Sequence, residues 1–182
     1  MKFSTWIALF SQTGSEIADL SEALNRSPDF VITNANTDNV DPRVDISFRV
    51  NKDEAKTLDI LEDIEFDIDK TLITLNGWLR IVPPDKCSKY NIYNGHPGLI
   101  TKYPELKGKD PQQRAWDDLH KYNVVGSVVH EVVEEVDAGE IVELEATFSD
   151  SLLTLDDTYN ALKGTSFRAW YRFLKERLYN KV

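Results

Sequence analysis

The sequence predicts an α/β fold: a mostly parallel sheet flanked by helices and closed by a C-terminal helix. Continuous apolar runs bounded by polar loops mark strands buried on both faces. Between them lie segments whose apolar residues recur at helical spacing. Alternation of the two is the pattern of β–α crossover units.

Trp6-Ile7-Ala8-Leu9-Phe10 is the first buried run. It breaks into Ser11-Gln12-Thr13-Gly14-Ser15, after which Ile17, Leu20 and Leu24 follow helical spacing. Phe30–Thr33 is a second short run, and residues 34–43, with Asn, Asp and Pro, form a loop. Residues 45–50 alternate polar and apolar, as an edge strand does. Asn51 then caps a helix carrying Ala55, Leu58 and Leu61 on one face. Thr71–Leu75 is the next buried strand. It leads through Asn76 and Gly77 to Pro83 and Pro84, which stop extended pairing and favour the first turn of a short helix. Ile92-Tyr93-Asn94 is a brief strand closed by Gly95-His96-Pro97-Gly98, and Pro111 opens a helix through Ala115, Trp116 and Leu119. Residues 124–133 form a longer strand, with residues 141–148 as its antiparallel partner across a 135–140 connection. The last helix opens at Thr154, with Asp157 placed for a near capping box, and carries Leu155, Tyr159, Leu162, Phe173, Leu174 and Leu178. Gly164 interrupts that pattern.

The 182 residues carry 21 Lys+Arg against 31 Asp+Glu, a formal net charge of −10, with 41% apolar residues. That length predicts a single domain, residues 1–182, with enough core to fold without staples. The negative balance argues against nucleic acid as a partner, because such binding rests on phosphate neutralisation. No window approaches the roughly 18 apolar residues of a membrane span, and the opening apolar run is too short for a secretory signal. Cys87 is alone, which leaves no internal disulfide and no thiolate metal cluster. A cytoplasmic protein is expected, and a homodimer is compatible with the sequence.

In open α/β sheets ligands sit beyond the carboxyl ends of the strands, so the loops there hold the candidate sites. In Asn94-Gly95-His96-Pro97-Gly98, residues two apart on an extended chain point to one side, so the Asn94 amide and the His96 imidazole converge. That pair fits an oxyanion clamp for acyl transfer; it also fits a turn in which Asn94 bonds the backbone. Asp137 fits either a carboxylate orienting an imidazole and raising its pKa or a member of a solvated acidic loop with Glu134, Glu135 and Glu140. Thr13-Gly14-Ser15 before a helix fits either an anion site or a plain cap; neighbouring Glu16 would repel a phosphate. His120 reads as surface and His130 as a satisfied core histidine.

Three blocks in order, NGWLRIVPP, NIYNGHPGLITKYPELKG and GSVVHEVVEEVDAGEIV, resemble the folate-dependent formyltransferases over about residues 75–142. The resemblance implies a Rossmann-like formyltransferase fold and 10-formyltetrahydrofolate as formyl donor, with a small-molecule amine as acceptor and no metal. It implies Asn94, His96 and Asp137 as the catalytic triad. Asn94 and protonated His96 would stabilise the oxyanion, and Asp137 would keep His96 protonated, so that activity persists above neutral pH. Leu79, Arg80, Ile81 and Val82 would read the pterin edge, with Val133, Glu134, Val136 and Asp137 as the facing wall. Thr13, Gly14, Ser15, Pro97 and Gly98 would meet the acceptor.

The chain departs from the family pattern at Gly98, where Ser is usual, and at Glu16, where the ribonucleotide enzymes carry Asn. Thr165 and Ser166 stand near the place of their ribose-contacting acid. These departures favour, narrowly, a nucleotide-linked amino sugar as the phosphate-bearing acceptor. Glycinamide ribonucleotide is the alternative. A methionyl-tRNA acceptor is disfavoured by the net charge and by the lack of sequence for a second domain. A non-catalytic folate- or anion-binding module and a metal-dependent hydrolase using His96, His130 and Asp137 are the competing classes.

Overall fold

The computed structural model describes residues 3–179. Met1, Lys2 and residues 180–182, the ends of the expected single domain, lie outside the described residues. Seven strands form one sheet: β1 (Thr5–Phe10), β2 (Phe30–Thr33), β3 (Phe48–Arg49), β4 (Thr71–Leu75), β5 (Ile92–His96), β6 (Val124–Glu131) and β7 (Ile141–Phe148). Their order is β3-β2-β1-β4-β5-β6-β7. The pairs from β3 to β5 are parallel, while β6 and β7 join antiparallel.

Alternation along β1 builds both faces. Trp6, Ala8 and Phe10 point into one core, under α1 (Ser15–Leu24) and α6 (Leu155–Leu178), with Ile17, Leu20, Trp170 and Phe173. Ile7 and Leu9 point into the other, with Ile32, Leu58, Leu61, Ile73 and Ile92, under α2 (Glu54–Thr57), α3 (Ile60–Asp63) and α4 (Pro84–Lys89). A third cluster, including Leu99, Leu106, Val128 and Leu162, packs beside α5 (Pro111–Asp117).

Several boundaries differ from the sequence expectations. Only Phe48–Arg49 of residues 45–50 forms a strand; Ser47 still trades hydrogen bonds with Val31 through its backbone N–H and its hydroxyl. The helix expected after Asn51 splits in two because Leu58 takes a left-handed φ of 54°. Its apolar spacing was sound, since Ala55, Leu58 and Leu61 are all buried. Helix α5 stops at Asp117, short of Leu119, and β6 stops at Glu131 after an irregularity at Val129/His130. Strand β5 instead runs on to His96. Gly164 does not interrupt α6, whose start is fixed by a full capping box between Thr154 and Asp157.

The sheet's crossover direction reverses between β1 and β4, and the crevice at such a switch point is where open α/β sheets bind ligands. Here Ser11 ties the two strand ends together: its N–H donates to Gly77 O at 3.0 Å, and its hydroxyl accepts from Leu79 N at 2.9 Å.

Candidate active site

Strand β5 puts Asn94 and His96 on the same side, since the extended backbone carries through both. The antiparallel register sets His130 of β6 opposite Asn94, and the Asn94 amide nitrogen lies 3.3 Å from His130 Nε2. Asp137 follows in the β6–β7 connection with a left-handed φ of 55°. That turn buries its carboxylate between the two imidazoles: Oδ2 is 3.4 Å from His96 Nδ1 and Oδ1 is 3.4 Å from His130 Nε2. The Gly108 N–H donates to Oδ2 at 2.8 Å. Asn94, His96 and Asp137 are therefore brought together, and Asp137 does not belong to a solvated acidic loop.

Carbonyl oxygens only accept, which fixes one N–H on each ring. His96 Nε2 donates to Leu106 O at 2.8 Å, and His130 Nδ1 donates to Glu131 O at 2.7 Å. His130 Nε2 then lies between two partners, the Asn94 amide nitrogen at 3.3 Å and Asp137 Oδ1 at 3.4 Å. His130 is the satisfied, buried histidine the sequence suggested, and it is also a member of the cluster. The sequence signal was its place on β6; the meaning came only with the register opposite Asn94.

Burial pushes the His96 imidazole below its ordinary value, and the nearby Asp137 carboxylate and the Leu106 carbonyl pull it back only in part. The expected rise in the His96 pKa is thus corrected: desolvation outweighs the carboxylate. Asp137 is itself pushed up by burial, but His130, the Gly108 N–H and His96 together hold it below the usual carboxylate range.

Pro97 is half-buried and Gly98 buried beside the histidine. A Cβ on Gly98 would stand 3.0 Å from His96 Nε2 and 3.3 Å from Leu106 Cβ. Glycine here leaves the imidazole the space that a side chain would take.

On the segment after β4, a cleft of about 510 Å³ is lined by Leu79, Arg80, Ile81, Val82, Pro83 and Pro84, with Lys56 on its rim. Leu79 and Ile81 are 58% and 72% exposed, whereas Val82 is buried at the base. Val133, Glu134 and Val136 of the expected facing wall are exposed, while Asp137 is buried in the cluster. Lys56 was not anticipated, because its place on the rim depends on how α2 folds back.

On the other side of the switch point, Thr13, Gly14 and Ser15 lead into α1. Gly14 takes a φ of 72°, and a Cβ there would press on the Phe10 ring at 3.0 Å. Thr13 caps its own turn, its hydroxyl oxygen accepting from Ser15 N at 3.3 Å. Glu16 turns inward: Ser166 Oγ donates to one carboxylate oxygen at 2.5 Å and Asn76 Nδ2 to the other at 3.2 Å. Burial pushes this carboxyl up in spite of both bonds. A relay continues inward, with the Thr74 hydroxyl donating to Asn76 Oδ1 at 2.7 Å and the Trp6 indole N–H to Thr74 Oγ1 at 2.9 Å. Asn76 directly follows Leu75, the β4 residue paired with Asn94.

Elsewhere His120 is exposed, as expected, and burial pushes the half-buried Cys87 thiol up, in keeping with a structural residue. Among the described residues no group of three or more His, Cys, Asp or Glu side chains is arranged to hold a metal ion, and no helix is long and apolar enough to cross a membrane.

Comparison with known proteins gives concordant results. The profile of a family described as Formyl transferase matches residues 6–169. A phosphoribosylglycinamide formyltransferase of Dictyostelium discoideum is 34% identical over 101 residues, covering 49% of this chain and 48% of that protein. The trifunctional purine biosynthetic protein adenosine-3 of Homo sapiens is 32% identical over 126 residues, covering 66% of this chain and 12% of that protein. The chain thus spans about half the length of the first relative and a smaller part of the second. The fold is shared with the solved phosphoribosylglycinamide formyltransferase of Coxiella burnetii, with a TM-score of 0.77 at 20% identity, over 95% of this chain and 86% of that one.

Proposed function

We propose that this chain, which belongs to the formyl transferase family, is an N-formyltransferase that uses 10-formyltetrahydrofolate as donor and a primary amine as acceptor. The observation that carries this reading is the convergence of Asn94, His96 and Asp137 at the end of β5, with an apolar cleft on the segment that follows its neighbour β4. The cleft fits a pterin: Leu79, Ile81 and Val82 offer apolar faces, their backbone groups suit an amide-like edge, and Arg80 and Lys56 supply cations for the donor's carboxylates.

When bound, the donor supplies a formyl carbon open to attack by an amine, and transfer moves the formyl group to that amine while the amine proton passes to the folate nitrogen. The chain's residues serve the charge and the proton. Asn94 contributes an amide N–H as a donor to the oxygen on which negative charge develops. His96, when protonated, contributes its positive charge beside that oxygen, while its two ring N–H groups stay directed at Leu106 O and Asp137. Its ordinary value is depressed by burial, so the charge that develops beside it is what favours its proton during transfer. Asp137 sits against the imidazole, orients it, and is placed to accept the amine proton through water.

For the acceptor we favour glycinamide ribonucleotide. The relatives named as phosphoribosylglycinamide formyltransferases support it over the nucleotide-linked amino sugar suggested by sequence departures alone. Thr13, Gly14 and Ser15, with the amides at the start of α1, are the groups for its phosphate. The amino sugar stays as a second reading on one observation, the Glu16 carboxylate beside that loop.

The test is mass spectrometry of the protein incubated with 10-formyltetrahydrofolate and either glycinamide ribonucleotide or a panel of nucleotide-linked 3-amino and 4-amino sugars. N-formylglycinamide ribonucleotide as product is expected. Formylation of a sugar alone moves the acceptor to the second reading, and donor left intact with every amine overturns the enzyme reading in favour of a binding module.

A further inference from the structure

Arg114 lies on α5, outside the cluster, yet its guanidinium gathers the carbonyls of the loop that serves the cluster. Nε donates to Lys109 O at 2.9 Å and Nη1 to Glu105 O at 2.5 Å. Nη2 donates to Leu106 O at 3.1 Å and to Lys107 O at 2.8 Å. Among the described residues Arg114 forms no ion pair, so its fork is committed to backbone.

Two groups of this same loop touch the catalytic candidates. The Leu106 carbonyl, which Arg114 shares, accepts from His96 Nε2, and the Gly108 N–H donates to Asp137 Oδ2. Beyond these contacts the loop is anchored by Leu106, which is buried in the third core cluster. Its own backbone bonds are those of one short turn, Leu106 N to Tyr103 O at 2.9 Å and Lys107 N to Pro104 O at 3.2 Å. Asp110 takes a left-handed φ of 52°, a conformation sparsely populated by a non-glycine residue.

We propose that Arg114 is a positioning residue: by clamping residues 105–109 it fixes the carbonyl that selects the His96 tautomer and the amide that aims the Asp137 carboxylate. Its consequence for rate rests on the proposed formyl transfer, whereas its consequence for His96 does not. A planar fork with five N–H donors suits four convergent carbonyls, and a lysine ammonium on a flexible stem does not.

The charged and titratable groups facing His96 are Asp137 from the β6–β7 connection, His130 from β6 and Arg114 from α5. Arg114→Lys keeps the charge and removes the fork; Arg114→Gln removes the charge and keeps part of the hydrogen bonding. The measurement is nitrogen-15 NMR of the His96 ring through a pH titration, alongside formyl-transfer kinetics with glycinamide ribonucleotide. In the wild type the neutral ring is expected protonated at Nε2. In Arg114→Lys we expect a mixture of tautomers and a kcat lower by about 10- to 100-fold, the scale of a displaced catalytic group, with KM for the acceptor within about twofold. In Arg114→Gln the His96 titration is expected to move upward, because a nearby cation is gone. Wild-type tautomer and titration in both folded variants overturn the proposal, whether or not the chain proves to transfer formyl groups. Should Arg114→Lys fail to fold, Arg114→Gln decides through the ring tautomer: a wild-type Nε2–H ring overturns the proposal and a mixture of tautomers supports it. If the rings respond as expected but no formyl transfer occurs in the wild type, the positioning role stands and the catalytic reading falls.

Discussion

Both ring nitrogens of His96 face oxygen, Leu106 O at 2.8 Å and Asp137 Oδ2 at 3.4 Å, while burial depresses the ring's affinity for a second proton. These opposing influences give a prediction with a definite sign. Asp137 raises the His96 pKa, so Asp137→Asn drops it further, and the proton is lost at lower pH. The basic limb of kcat that reports His96 is expected to shift toward acid in a pH–rate profile. An unmoved limb with full activity removes Asp137 from the mechanism. Gly98 offers a second test. A side chain there presses on His96 Nε2, so Gly98→Ala is expected to lower kcat several-fold without changing donor affinity measured by fluorescence titration; equal kcat would show that the ring has room to give. At this scale the period of two of an extended segment put Asn94 and His96 on one side, and the family resemblance, not the period, gave them a catalytic role. His130 and Gly108 were not legible in the sequence, because their roles arise from cross-strand register and from a loop folded back over the site.

Elements transmit the same packing. Strand β5 carries Gly95 between Asn94 and His96, and a Cβ there would overlap the Trp170 indole nitrogen of α6. Gly95→Ala therefore forces a buried tryptophan or the strand to move, an overpacking cost of about 1–3 kcal/mol. At this chain length each kcal/mol lowers Tm by about 2–4 °C, which a thermal melt resolves; an unchanged Tm would mean that α6 yields freely. Helix α1 presents Glu16 to Ser166 of α6 and to Asn76, and burial pushes its carboxyl up. A raised folded pKa means the stability linked to the neutral form is complete below the unfolded value, roughly 4.3, and is lost as pH rises through the folded one. Glu16→Gln mimics the neutral form, so its Tm is expected above wild type at pH 8, with the gap closing near pH 4. A constant gap would contradict the assignment. Apolar runs and helical spacing revealed these elements, but left-handed Leu58 and the brief β3 carried no local signal, since any non-glycine residue reads as an ordinary helix or strand former.

At the scale of the whole molecule, strand order rather than any one segment creates the site. The sheet reverses between β1 and β4 and then turns antiparallel after β5, which gathers the α1 start, the cleft after β4, the end of β5 and the β6–β7 connection around one crevice. The sequence showed a parallel sheet with an antiparallel pair and showed which loops to inspect. It did not show strand order, which depends on long-range contacts, nor that only Asp137 of the expected facing wall would turn inward. The most direct measurement is the single-turnover rate of formyl transfer to glycinamide ribonucleotide, followed as tetrahydrofolate appears, in wild type and in His96→Ala. Transfer in the wild type that falls by about 100-fold or more in the variant, with donor binding retained, is the expected result. Equal rates in the two proteins would contradict the assignment of this cluster as the site of transfer.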